Sequence, residues 1–213
     1  MAEEKAQEKT QEKTQENRTG RRVGAQTRAQ AQAIALELFS TQGYEATSMQ
    51  QIADALGIKK ASLYYYFAGK EDILRGLLAG RSDEARSLAD WVRAKPRTPD
   101  LARDTVLRWI DSFTVEKLRG IRFMNANPLL LRSIVSQTGI DVGEDLAAVL
   151  SLVLPAGAGA ERTLLMRMAF LSLNTAVAAA EDLPGVTDEQ TVAAARACAL
   201  ALINAAGCLP NGR

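Results

Sequence analysis

No histidine occurs anywhere in these 213 residues. Its absence removes the commonest general base and the commonest metal ligand. Cysteine is nearly as scarce, with only Cys198 and Cys208 near the C-terminal end. With that spacing and no histidine to join them, the pair does not suggest a zinc site, and no metal is expected. No glycine-rich loop of the phosphate-cradling kind is present. These absences leave an enzyme little to work with, and no cofactor is expected. The first residues are polar and mixed in charge, without the apolar stretch of a secretion signal. No apolar run reaches about 18 residues free of charge or breakers, so no membrane span and no membrane partner are implied. The expectation is a cytoplasmic protein with reduced thiols.

What is present is a chain with 47% hydrophobic residues, enough for one small and one medium domain. The net charge is +1, but it is unevenly spread. Between Asn17 and Lys70 the basic residues are Arg18, Arg21, Arg22, Arg28, Lys59, Lys60 and Lys70. The acidic ones are Glu37, Glu45 and Asp54, so seven against three leaves a surplus of four. A local surplus of this size fits a small phosphate-binding face. Residues 7–16 repeat Gln-Glu-Lys-Thr without an apolar anchor, the composition of a solvated, disordered tract. The arginines that follow fit a basic arm reaching DNA beside the main site, or a solubilising tail.

The most informative stretch is 47–67, Thr-Ser-Met-Gln-Gln-Ile-Ala-Asp-Ala-Leu-Gly-Ile-Lys-Lys-Ala-Ser-Leu-Tyr-Tyr-Tyr-Phe. Met49, Ile52, Ala53 and Leu56 share one apolar helical face. Thr47 with Gln50, or Ser48 with Gln51, makes a capping box. Gly57 suits a left-handed turn, and Ile58 plugs the core behind it. A second helix from near Lys59 puts Leu63, Tyr66 and Phe67 inward and Lys60, Ser62, Tyr64 and Tyr65 outward. Two helices around a tight glycine turn form a helix-turn-helix, whose second helix enters the DNA major groove. Lysines suit phosphates, small Ala61 and Ser62 permit close approach to base edges, and tyrosines offer a hydroxyl and a ring. The bland alternative is an ordinary helical hairpin with tyrosines as packing.

Ile34–Phe39, Gly43-Tyr44, Thr47–Phe67 and Lys70-Glu71 together resemble the N-terminal domain of TetR-family transcriptional regulators. The resemblance covers about residues 27–78 and rests above all on Leu-Tyr-Tyr-Tyr-Phe followed by Lys-Glu. Two departures stand out: Lys59 where a small N-cap is usual, and Ala68-Gly69 before the fourth helix. The resemblance implies Thr47, Ser48, Lys60, Ala61, Ser62, Tyr64, Tyr65 and Lys70 as DNA-binding positions, Lys70 through phosphate, while Lys59 is either a tolerated surface residue or an extra phosphate contact. It also implies that the last two helices form a dimeric four-helix bundle.

The pattern predicts an all-α chain of about nine helices. Its divisions are a polar tail over 1–24, a helix-turn-helix domain over 25–72, a helical effector and dimerisation domain over 73–207, and a C-terminal tail over 208–213. Helix one is expected over Thr27–Gln42, with Ala31, Ile34, Ala35, Leu38 and Phe39 inward. The helix from Lys70 to before Pro96 belongs to both domains. The stretch Gly120–Asn127 is irregular or a short helix. Ala160–Glu181 is apolar nearly all round, as a helix buried on more than one side is, and the last helix holds eight alanines between Ala193 and Ala206. Either these helices meet a second copy, or both faces bury within one chain. Candidates to line an effector pocket are Trp91, Trp109, Phe113, Phe123, Met124 and Phe170, with Asn127, Arg167 and Asn174 as polar groups. For each polar one, a core or surface role competes. The function expected is a homodimeric repressor that binds double-stranded operator DNA and is released by an unidentified small molecule. An activator or ligand-independent regulator is the alternative, and an all-helical enzyme a remote one.

Overall fold

The computed structural model describes residues 23–208. The repeat tract and Arg18, Arg21, Arg22 of the expected arm lie outside them, as does the tail from 209 onward. Ten helices run through the described residues, without a strand: α1 over 23–42, α2 Met49–Leu56, α3 Lys60–Tyr66, α4 Lys70–Arg93, α5 Leu101–Asp111, α6 Val115–Ala126, α7 Pro128–Thr138, α8 Val142–Val153, α9 Ala160–Ala180 and α10 Asp188–Cys208. The chain divides into two compact units between Ile73 and Leu74, within α4.

In the first unit α1 buries Ala31, Ala35, Leu36 and Phe39. The stripe is turned slightly from the expected one: Leu36 joins the core, while Ile34 and Leu38 are half-buried. Ser48, not Thr47, caps α2. Its hydroxyl accepts from the Gln51 amide, and the Gln51 side chain accepts from the Ser48 N–H at 2.8 Å. Thr47 is buried, and its hydroxyl donates to the Gly43 carbonyl at 2.8 Å. Gln50 instead donates to Asp54 at 2.7 Å. Gly57 closes α2 at φ 73° and ψ 27°. Its N–H reaches Asp54 O, and the Ile58 N–H reaches Ala53 O at 3.0 Å. That crossed pair satisfies two end carbonyls and reverses the chain, which requires a residue at ease in the left-handed region.

In the second unit one core gathers Ala85, Leu88, Ala89 and Val92 of α4 with Val106, Trp109 and Ile110 of α5. Leu146, Val149 and Leu150 of α8, Met166, Ala169 and Phe170 of α9, and Ala199 and Ala206 of α10 complete it. A smaller cluster joins Leu118 of α6 to Leu173, Val177 and Ala195. Buried Ser82 of α4 hydrogen-bonds Asp145 of α8, Arg122 of α6 pairs with Asp188 of α10, and Arg196 of α10 pairs with Asp111 of α5. α9 and α10 run antiparallel, for Arg162 Nε donates to Ala206 O at 3.0 Å.

The helix beyond the expected count is α6. Thr114 caps it by accepting from the Lys117 N–H, so the stretch that is ambiguous by pattern is regular up to Asn127. α9 and α10 are each 21 residues long and apolar enough, by length and composition, to cross a membrane. Arg167 and Asn174 interrupt the apolar run of α9 without lowering its mean hydropathy below that level.

Replacing Ser48 by Ala removes the hydroxyl half of the capping box and leaves the backbone N–H bond to the Gln51 side chain. The expected cost is about 1 kcal/mol, read as a lower unfolding midpoint in urea. Thr47→Val, which removes one internal hydrogen bond while keeping shape, is expected to cost about as much. If only Thr47→Val destabilised the protein, the assignment of the cap to Ser48 would be wrong.

Candidate functional site

α3 has seven residues, too few to be stable alone. Leu63 and Phe67 fix it, both essentially inaccessible to solvent. On the opposite face Lys60, Ala61, Ser62, Tyr64 and Tyr65 are exposed, Tyr65 by 85%. Tyr66 is half-buried, its ring edge-on to Tyr65 with centroids 5.3 Å apart. Lys59 occupies the N-cap position in extended conformation and makes no side-chain cap. It is exposed, as is Ser48. Thr47 belongs to the interior: at 1% exposure, with its hydroxyl bound to Gly43 O, it has no surface to offer DNA.

Two basic residues that belong by charge to the phosphate-binding set have internal partners. Arg28 of α1 donates to the Tyr66 carbonyl at 3.1 Å and lies 4.5 Å over the Phe67 ring. It thus caps the C-terminal end of α3, where a cation meets the negative end of the helix dipole. Lys70 donates to the Tyr44 carbonyl at 2.6 Å and to the Glu45 carbonyl at 3.4 Å, with the Tyr44 ring 4.4 Å away. Two of its three protons therefore hold the loop before α2, a tie that its reading as a phosphate ligand did not include. Tyr44 packs edge-on to Phe39 at 5.0 Å. Desolvation, then Glu71 and Glu45, pushes its hydroxyl up to about 12. A raised folded-state value means this contribution to stability is complete below the ordinary 10.0 and is lost as pH climbs through about 12.

The charge picture narrows accordingly. Over residues 23–70 four cations face three anions, and Arg28 and Lys70 are engaged inside the unit. The outward positive charge described on this face is that of Lys59 and Lys60. The remaining surplus belongs to Arg18, Arg21 and Arg22, outside the described residues.

Known proteins agree with this geometry. Residues 33–77 match the family model of bacterial regulatory proteins of the tetR family. The chain carries a TetR-type N-terminal domain. Over 41 residues it is 49% identical to IcaR of Staphylococcus epidermidis, a negative transcriptional regulator of a biofilm operon. That match spans 19% of this chain and only 22% of the relative's length. The fold resemblance is wider. AmtR of Mycobacterium smegmatis superposes with a TM-score of 0.59 at 23% identity, over 84% of this chain and 91% of that one. A TetR-family regulator of Mesorhizobium loti gives 0.58 at 19% identity, over 85% and 97%. At these identities the two structures share the fold.

In the second unit the expected effector residues separate. Trp109 and Phe113 meet edge-on, with centroids 5.5 Å apart. Trp109 shares its core with Phe170, and Trp91 packs against that core from its margin, beneath Lys95 and Arg108. Phe123 is buried and Met124 half-buried. Asn127 donates to Phe123 O at 2.8 Å, ending α6. Arg167 and Asn174 are exposed on α9, not turned into the core. A helix apolar on all sides gives no phase by which to place its polar residues. Missing from the expected set is Arg81, which lies against both Trp109 and Phe113. The sequence does hold its signal. Leu74, Leu78, Arg81, Ala85, Leu88 and Val92 follow a four-three spacing, so a charge occupies a core position.

Three substitutions separate these roles. Leu63→Ala should destabilise the first unit by ~2–5 kcal/mol, whereas Tyr65→Ala should leave its melting temperature unchanged. Lys70→Met should cost ~1–3 kcal/mol through two unmet carbonyls. A Lys70→Met protein that melts like wild type and loses only phosphate affinity would restore the simpler reading. Lys59→Ser supplies the missing cap and should add about 1 kcal/mol. A melting temperature that stays flat or falls would show that the start of α3 needs no cap.

Proposed function

We propose that this chain is a homodimeric, sequence-specific DNA-binding repressor, cytoplasmic, that a small-molecule effector releases from a palindromic operator. The observation that carries the proposal is the division of α3. Leu63 and Phe67 hold it from beneath, while Lys60, Ala61, Ser62, Tyr64 and Tyr65 are left to solvent. A helix so presented, after a second helix and a tight turn, fits a major groove. Lys59, Lys60 and exposed Ser48 would meet phosphates beside it, and Arg18, Arg21 and Arg22 would extend that contact. The repressor role is supported by the likeness to IcaR, itself a negative regulator.

Dimerisation through α9 and α10 is supported by the faces they leave uncovered. Leu164, Met168 and Leu171 lie exposed at helical spacing on α9. Ala194, Ala197, Ala201 and Ala205 do the same on α10. Small residues allow close helix approach, and a two-fold copy would cover both faces. Such a pair would set two α3 helices on half-sites one DNA turn apart, ~34 Å, or a multiple. A second copy, not lipid, is the proposed partner of this surface.

Selection of bound fragments from random DNA tests the proposal. It should return an inverted repeat, to which Tyr65→Ala binds more weakly at unchanged stability. Enrichment of no sequence, or of an unrepeated site, would overturn it. Truncation of residues 1–22 should lower affinity for all DNA alike and flatten its salt dependence.

Ala199 and Ala201 supply the oligomer test. Ala199 is buried within the unit and Ala201 is exposed. Ala201→Glu should yield a folded monomer that no longer binds operator, while Ala199→Glu should unfold the second unit, since an unpaired buried carboxylate costs several kcal/mol. Light scattering that finds the wild type monomeric, or Ala201→Glu still dimeric, would exclude this interface.

A further inference from the structure

Arg81 lies 4.2 Å from the Trp109 ring and 3.9 Å from that of Phe113, two rings nearly perpendicular to each other. Its side chain is only 18% exposed. One guanidinium nitrogen, Nη1, pairs with Glu84. Glu84 does not belong to Arg81 alone, because Lys117 Nζ approaches its other oxygen at 2.8 Å. Lys117 is anchored as well, donating to Ser112 O at 2.7 Å. Two cations thus share one carboxylate, leaving an excess of one positive charge. Nη2 of Arg81 is buried and meets no hydrogen-bond acceptor among the described residues. Burial lowers the guanidinium's proton affinity, and Glu84 opposes that shift. Arginine nevertheless remains charged in proteins, so the unmet N–H is a standing cost.

Packing alone does not account for this arrangement. A methionine would fill the same core row without desolvating a charge, and apolar replacement of buried ions is often neutral or stabilising. A partly satisfied buried polar network is less stable than an apolar one. The geometry does suit a ligand. A planar fork fixed by two rings presents a directional donor, and guanidinium geometry matches carboxylate. Around it the core is apolar, with Met166 and Phe170 in the same cluster as Trp109.

We propose that Arg81 is the anion-recognising residue of the second unit, and that its ligand is a small monocarboxylate with an apolar body. This rests on the effector reading above and names the chemical class of that effector. One oxygen of the carboxylate accepts from Arg81 Nη2, its charge offsets the excess cation, and the apolar body lies among the core side chains beside Trp109.

The test uses full-length protein carrying Trp91→Phe, so that Trp109 is its sole tryptophan. The probes are phenylacetate and octanoate, each paired with its neutral amide, at millimolar concentration. At least one acid should raise the melting temperature and change Trp109 emission, and its amide should not. Arg81→Met should weaken the response to that acid by roughly tenfold or more, as loss of a charge-assisted hydrogen bond requires, while melting no lower than the parent without probe. Equal responses to acid and amide, an unaltered response in Arg81→Met, or no response to either acid would overturn the proposal. Should Arg81→Met fail to fold, Arg81→Gln and the acid-amide comparison decide by the same criteria. Operator release is scored separately. Acids that bind through Arg81 yet leave DNA bound would sink the effector reading and keep the site. A compound that frees DNA equally from parent and Arg81→Met would do the reverse.

Discussion

A seven-residue helix cannot hold its own shape in water, and the first unit is organised around that constraint. α3 makes too few internal hydrogen bonds to offset the ordering of its backbone. It borrows rigidity instead. Leu63 and Phe67 tie it to the core, and Arg28 closes its C-terminal end from a helix 38 residues away in sequence. Lys70 fixes the loop that leads into α2 from 26 residues away. The Gly57 reversal sets the angle at which α3 leaves α2. Each of these contacts is modest alone; together they leave α3 one place to be.

The same contacts explain what was legible in the sequence. The two-helix element could be read from neighbours: apolar spacing, a cap candidate, a glycine where the chain must turn left-handed. Lys59 was visible as a poor cap for the same reason. Arg28 and Lys70 were read only as charges, because their partners are backbone carbonyls distant in sequence, which no local pattern marks. Thr47 and Ser48 were equivalent on paper. Only the fold shows that the Thr47 side chain turns back to Gly43, leaving the cap to Ser48. In the second unit the limit was phase. α9 is apolar around its circumference, so Arg167 and Asn174 could not be assigned a direction from spacing. α4 has a clear phase, and Arg81 stands out on it.

The second unit spends charge where a simple core would not. Ser82 with Asp145, Arg122 with Asp188 and Arg196 with Asp111 join helices at the core margin. The two ion pairs are half-exposed and add little stability each, but with the buried Ser82 hydrogen bond they fix which helix neighbours which. Arg81 is different in kind, since its partner is shared and its second nitrogen unmet. Fold specification explains the marginal pairs, but it does not explain that nitrogen.

The way α3 is fastened has a consequence for how such a molecule changes over time. Every tie described on it runs through Leu63, Phe67 or a backbone carbonyl. Positions 60, 61, 62, 64 and 65 have no duty in the core. Mutations there are nearly free of folding cost, so this surface can drift, duplicate and specialise while the scaffold beneath stays constant. Exposed and core-bound side chains lie on opposite sides of the same two turns of helix, and selection can act on one set without disturbing the other.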